Sequence, residues 1–114
     1  MARGTPATQD IGYDGAVVAL TAAPADGDIV APGTFLVVAN GAGAPMNVTI
    51  KNPNTRHGLA IADRVIAVTN GTTKHIPIPA DMAQDSDAVE GPNMVLVNYS
   101  AVTTVTRGVG KVSI

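Results

Sequence analysis

Hydrophobic positions in this chain fall into short runs, several alternating with polar positions at a period of two, and each run ends at strand-breaking residues. Ala16-Val17-Val18-Ala19-Leu20 predicts a first strand, closed by a turn at Ala23-Pro24-Ala25-Asp26-Gly27. Thr34-Phe35-Leu36-Val37-Val38-Ala39 is apolar throughout after its first residue, as a central strand covered on both faces requires, and it stops at Asn40-Gly41. Met46-Asn47-Val48-Thr49-Ile50-Lys51 alternates and places Met46, Val48 and Ile50 on one face, before Asn52-Pro53-Asn54 ends it. Asp63–Thr69 leads into Asn70-Gly71, the strongest short hairpin signal in the chain. In Lys74-His75-Ile76-Pro77-Ile78-Pro79, Ile76 and Ile78 point inward, while prolines that donate no ladder bond make the run an edge strand or the exit from one. Met94–Tyr99, Thr103–Thr106 and Lys111–Ile114 predict the last strands. One helical turn is expected near Ala80–Gln84, ahead of the acidic loop Asp85-Ser86-Asp87. The pattern predicts an all-β fold of seven or eight short strands: a single-domain antiparallel β-sandwich, or a jelly-roll-like variant of one.

Residues 1–15 contribute little to a core and read as an extended N-terminal arm, with the sandwich domain at 16–114. Such an arm either packs along its own sheet or reaches a partner. The 114 residues suit one domain with one modest core. Only 14% are charged, and seven Lys and Arg lie scattered among nine Asp and Glu for a net charge of −2, so the basic footprint of a nucleic-acid binder is missing. No apolar run approaches the roughly 20 residues that span a bilayer, and Met1–Pro6 leads into no signal-peptide core, so neither a membrane protein nor a secreted precursor is expected. The absence of cysteine excludes disulfides, thiolate metal sites and thiol nucleophiles. One Phe and two Tyr are too few for a stacking platform that binds bases or sugars.

Candidate chemistry is sparse. His57 sits in a loop and His75 begins a strand, and neither has a carboxylate or second His at ligand spacing, so both read as surface residues. Asp63 and Arg64 are adjacent on a strand and point to opposite faces, so a strand-end ion pair or turn contact is expected instead of an acid/base site. Asp81, Asp85, Asp87 and Glu90 form an acidic stretch without the spacing of a calcium loop. Ser86, Ser100 and Ser113 lack the context of a nucleophile elbow. Gly41-Ala42-Gly43 and Gly108-Val109-Gly110 lack the further residues of a phosphate loop and read as turns. Asn47, Asn70 and Asn98 begin glycosylation sequons, which mean little without a secretory signal. No catalytic residue, cofactor or metal is expected, and the chain reads as a non-enzyme.

Two segments carry a resemblance. Val48-Thr49-Ile50-Lys51-Asn52-Pro53, with Gly58-Leu59-Ala60-Ile61-Ala62-Asp63-Arg64 and Gly71-Thr72-Thr73-Lys74-His75-Ile76, is the first; the second is Val95–Thr106. Together they resemble small virion structural proteins of tailed bacteriophages, similar to capsid decoration proteins. The likeness spans roughly half the chain, at 46–79 and 94–106, and Arg107-Gly108-Val109-Gly110-Lys111 departs from it. It implies a module made in the host cytoplasm that binds the outside of the assembled shell of major capsid protein and stabilises it. It also implies a homo-oligomer, with a trimer favoured, and no nucleic-acid or membrane partner. Under this reading the capsid or subunit contact falls on Arg3, Thr5, Pro6, Gln9, Asp10 and Tyr13 of the arm, with Tyr13 as apolar anchor, and on Met82 and Pro92 of the loop at 80–92. Deleting residues 2–12 would then leave a folded domain that no longer binds shells. The alternatives are a head–tail connector or tail component, and a surface carbohydrate-binding module.

Overall fold

Period-two alternation gives each strand one apolar face, and two sheets bury those faces against each other. The computed structural model describes residues 3–12, 14–15, 18–88 and 91–112. Its strands are β1 (Thr8–Ile11), β2 (Thr21–Ala22), β3 (Asp28–Val30), β4 (Phe35–Asn40), β5 (Met46–Ile50), β6 (Thr55–Arg56), β7 (Leu59–Ala60), β8 (Arg64–Val68), β9 (Thr73–Pro77), β10 (Val95–Tyr99) and β11 (Val105–Val112). One sheet runs β1-β11-β4-β9, with β2 also paired to β11; the other runs β3-β10-β5-β8; and β6 and β7 form a separate hairpin. All ladders are antiparallel except β1 with β11. The single-domain all-β fold expected from the pattern is the one observed.

The core joins both layers. Leu36, Val38 and Ile76 of one sheet meet Val48, Ile50 and Val97 of the other, all of them buried. Each such side chain contributes about 1.5–3 kcal/mol by leaving water. Met46, Val48 and Ile50 share the inward face of β5, β4 is flanked on both sides, and β9 with Pro77 is an edge strand. The helical turn appears as a single 3-10 turn at Ala80–Met82.

Three expectations are corrected. Asn70-Gly71 joins β8 to β9, but the two strands belong to different sheets, so the turn is a corner between layers and not a hairpin. Buried Asn40 holds that corner: its N–H donates to the Thr72 carbonyl at 3.0 Å, its carbonyl accepts from Gly71 N–H at 2.8 Å, and its Nδ2 donates to the Val68 carbonyl at 2.9 Å. Second, Thr103–Thr106 and Lys111–Ile114 are not separate strands, because β11 runs unbroken through Gly108-Val109-Gly110. Those glycines mark close approach and not a turn. A Cβ on Gly108 would stand 2.5 Å from the Ala19 carbonyl oxygen, and one on Gly110 would stand 2.6 Å from Phe35 Cζ. Third, Val18–Leu20 are not in a strand. Gln9 supplies what a neighbouring strand would: its Nε2 donates to the Ala19 carbonyl at 2.9 Å, and its Oε1 accepts from Ala19 N–H at 2.8 Å. Described residues of the arm lie against their own domain.

Candidate functional site

The N-terminal segment forms a strap from one sheet to the other. Gly4 N–H donates to the Gly27 carbonyl at 2.9 Å and the Gly4 carbonyl accepts from Ile29 N–H at 2.8 Å, extending the β3 edge. A few residues later β1 adds to β11 of the opposite sheet. Beneath the strap lies a charged centre that the sequence reading missed. Asp28 is fully buried, and its carboxylate accepts from Arg107 Nε at 2.6 Å, from Arg107 Nη2 at 2.9 Å and from the Tyr99 hydroxyl. Arg107 Nη1 also donates to Thr21 Oγ1. The two carboxylate oxygens face the guanidinium fork, an arrangement that recovers part of the desolvation cost of both ions. Burial, and then the adjacent Asp28, push the Tyr99 hydroxyl well above the ordinary tyrosine range, so it stays a donor. The hydrogen bonds to Asp28 likewise hold the Arg107 guanidinium protonated, outweighing its burial. Gly4 is the lid: a Cβ there would collide with Asp28 Oδ1 and stand 3.0 Å from Arg107 Nη2. The legible signal was one acid in the apolar run around Ile29-Val30 and one base in the run around Val105 and Val109.

Among the described residues, no buried side-chain nitrogen or oxygen lacks a partner, and no three His, Asp or Glu side chains gather as a metal-binding group. Surface clefts open among the described residues at two places of note. One of about 400 Å³ is lined by Asn40, Gly71, Thr72, Thr73, Thr104 and Thr106. The other, about 190 Å³, lies beside the strap along Pro6, Gln9, Thr21 and Arg107. Both linings offer hydroxyls and amides, and the one charge among them, Arg107, is committed to Asp28.

The residues proposed for contact scatter in kind. Arg3 donates from Nη1 to the Val97 carbonyl at 2.9 Å, and Gln9 is committed to Ala19. Thr5 and Asp10 are exposed, and Pro6 is half-buried along the strap. Tyr13 lies outside the described residues. Met82 faces inward as part of the core, whereas Pro92 is exposed and its backbone bridges to Gln84. His57 occupies the tip of the β6–β7 hairpin, and His75 is exposed on β9 with its ring 6.0 Å from that of Phe35.

That hairpin is the second feature missed. His57 and Gly58 both have positive φ, 54° and 80°, which gives the two-residue turn between Arg56 and Leu59 a twist suited to paired strands. Its base is fixed on both sides. Asp63 Oδ1 accepts from Asn52 N–H and Oδ2 from Lys51 Nζ, both at 2.8 Å, which holds its carboxyl below the ordinary range. Asn54 Nδ2 donates to the Asp81 carbonyl at 2.6 Å. The expected strand-end ion pair of Asp63 is therefore present, with Lys51 as partner. Beyond this base every residue from Pro53 to Ala62 is exposed, including Leu59 at 73% and Ile61 at 41%, and Val65 on the neighbouring edge strand is 58% exposed. The sequence signal was His57-Gly58 between two short runs, Thr55-Arg56 and Leu59-Ala60.

Comparison with protein-family models, with curated proteins and with solved structures finds no match to this chain.

Proposed function

We propose that this chain is a non-enzymatic structural protein of a tailed-bacteriophage virion, a decoration module that binds the outside of the assembled capsid shell and stabilises it. One observation carries the reading: a sandwich whose described buried polar groups are all satisfied holds three of its four exposed large hydrophobics among the described residues, Leu59, Ile61 and Val65, around one pinned hairpin and edge strand, the fourth, Val112, lying at the end of β11. Water-exposed apolar side chains on a fixed backbone suit protein association, because little conformational entropy is lost on docking. The two segments that resemble virion proteins include this hairpin and edge. Individual contacts with a shell can be weak, since many copies on a symmetric lattice add avidity. Thr5 and Asp10, both exposed on the strap, are shell-facing candidates. The test is the copy number of the protein relative to major capsid protein in purified particles, by quantitative mass spectrometry. A ratio near one, or a simple symmetric fraction of it, is the expected result. A handful of copies per particle would move the role to a head–tail connector or tail component, and none would remove the virion role.

A further inference from the structure

The sheet edges of this sandwich are finished in different ways. The β3 edge is covered by Gly4, whose N–H and carbonyl pair with Gly27 and Ile29. The β9 edge carries Pro77, which has no N–H, and the Pro77 carbonyl accepts from Arg64 Nη1 at 3.2 Å. On β8 the main chain itself faces outward. Asn47 of β5 turns both of its main-chain groups toward Ser100: its carbonyl accepts from Ser100 N–H at 2.9 Å, and its N–H donates to Ser100 Oγ at 2.7 Å. Alternation along an antiparallel ladder then aims Met46, Val48 and Ile50 at Val68, Ile66 and Arg64, so the main-chain groups of Val65 and Ala67 point away from the sheet. Among the described residues one of these outward groups is engaged, the Ala67 carbonyl, which accepts from Lys74 Nζ at 2.9 Å. Lys74 makes no ion pair among the described residues, since Asp63 is held by Lys51 and Asp81 lies at the other end of β8, beside Asn54 of the hairpin.

We infer that β8 accepts an extended strand from the shell protein, which pairs with the outward groups of Val65 and Ala67 and offers a carboxylate that draws Lys74 off the Ala67 carbonyl. The inference rests on the shell-binding reading and names the mode and chemistry of that contact. Outward donors and acceptors spaced two residues apart are matched by another extended main chain. Val65, 58% exposed, gives the incoming strand an apolar side chain to cover, and Leu59 and Ile61 on the preceding hairpin extend that surface. Lys74 sets the requirement for an acid. A strand without one either finds the Ala67 carbonyl still capped or leaves the freed ammonium without an acceptor. The lysine thus guards the edge against indiscriminate pairing and admits a strand of opposite charge. Pairing with β8 of a second copy is disfavoured for the same reason, because that copy brings a second Lys74.

Shells assembled from major capsid protein alone, titrated with the full chain and read by cosedimentation and by hydrogen exchange of the bound chain, test it. The wild-type chain binds, and its Val65 and Ala67 amides become slow to exchange on the shell, while Ile66, already paired with β5, changes little. Val65→Pro removes an outward donor without touching the β5 ladder and weakens binding by about 10-fold or more, because a carbonyl of the partner is left unpaired. Lys74→Glu weakens binding by a comparable factor, and Lys74→Met by less. An unchanged melting temperature verifies that each variant is folded; if Val65→Pro lowers it, the Lys74 variants and the exchange pattern carry the test. Bound chain whose Val65 and Ala67 amides exchange as freely as before overturns the inference and leaves shell binding standing, as does full binding by both Val65→Pro and Lys74→Glu. Tighter binding by Lys74→Met overturns the acidic partner. Dimers of the wild-type chain that form without shells and vanish in Val65→Pro make the occupant a second copy and overturn it too. A wild-type chain that ignores shells removes both the inference and the reading beneath it.

Discussion

Replacing Asp28 with alanine removes one end of the buried ion pair and leaves the other in place. The carboxylate is fully enclosed and receives two hydrogen bonds from Arg107, at 2.6 and 2.9 Å, and a third from Tyr99. In the variant, Arg107 stays under the strap with a side chain 9% exposed, and a guanidinium cannot relieve its burial by losing a proton. Stranding one member of such a pair costs about 3–5 kcal/mol. The Tyr99 hydroxyl, left without an acceptor, adds about 1 kcal/mol. Against a total of about 5–15 kcal/mol for a domain of this size, Asp28→Ala consumes a large share of the stability. The midpoint of thermal unfolding should fall by about 15 °C or more. Equilibrium urea unfolding, followed by far-ultraviolet circular dichroism, measures the loss directly. The same reasoning sets its control. Asp28→Val/Tyr99→Phe/Arg107→Met removes all three polar partners together and should lie within about 2 kcal/mol of the wild type. If Asp28→Ala costs less than about 1 kcal/mol, the pair is not desolvated in the way the geometry implies. If the triple variant falls as far as the single one, lost packing and not stranded charge is the cause.

Other outcomes follow from the same structure. Gly108→Ala sets a methyl against the Ala19 carbonyl, which is backbone, and should cost about 1–3 kcal/mol by urea unfolding; Gly110→Ala meets the half-buried Phe35 ring, which can swing, and should cost less. Deleting residues 2–12 removes the lid on Asp28–Arg107 and the amide bonds to Ala19, so it should lower the melting temperature and speed hydrogen exchange at Ile29; unchanged melting would show that the strap closes nothing. Because the Tyr99 pKa is raised on folding, its contribution is complete below pH 10 and is lost as pH rises above 10, where the unfolded chain ionises first. That alkaline slope, at most about 1.4 kcal/mol per pH unit, should shrink in Tyr99→Phe. The Asp63 pKa is lowered, so its contribution is present above the ordinary carboxylate value of 3.8 and is lost as pH falls through the folded value; Asp63→Asn should flatten the acid limb by about 0.5 kcal/mol, read from unfolding at pH 3 and pH 7.

The sequence by itself determined which residues turn inward. Alternation in Met46–Ile50 and at Ile76 and Ile78, the prolines on the edge run, and the breaks at Asn40-Gly41 and Asp26-Gly27 all have local causes: side-chain period, missing N–H donors and turn geometry. Pairing has no local cause. Alternation selects the buried face of a strand without selecting its neighbour, so Asn70-Gly71, with every mark of a hairpin, became a corner once Asn40 tied it to β4. Gly108 and Gly110 looked like a turn because the pressure against a side chain comes from Ala19 and Phe35, far away in the chain. The charged centre is the extreme case. Asp28 and Arg107 are 79 residues apart, and in the sequence each is a single charge beside an apolar run with nothing local to mark its partner. Only when the two sheets close and the strap crosses between them does water leave both ions, and only then does their pairing become a condition of the fold.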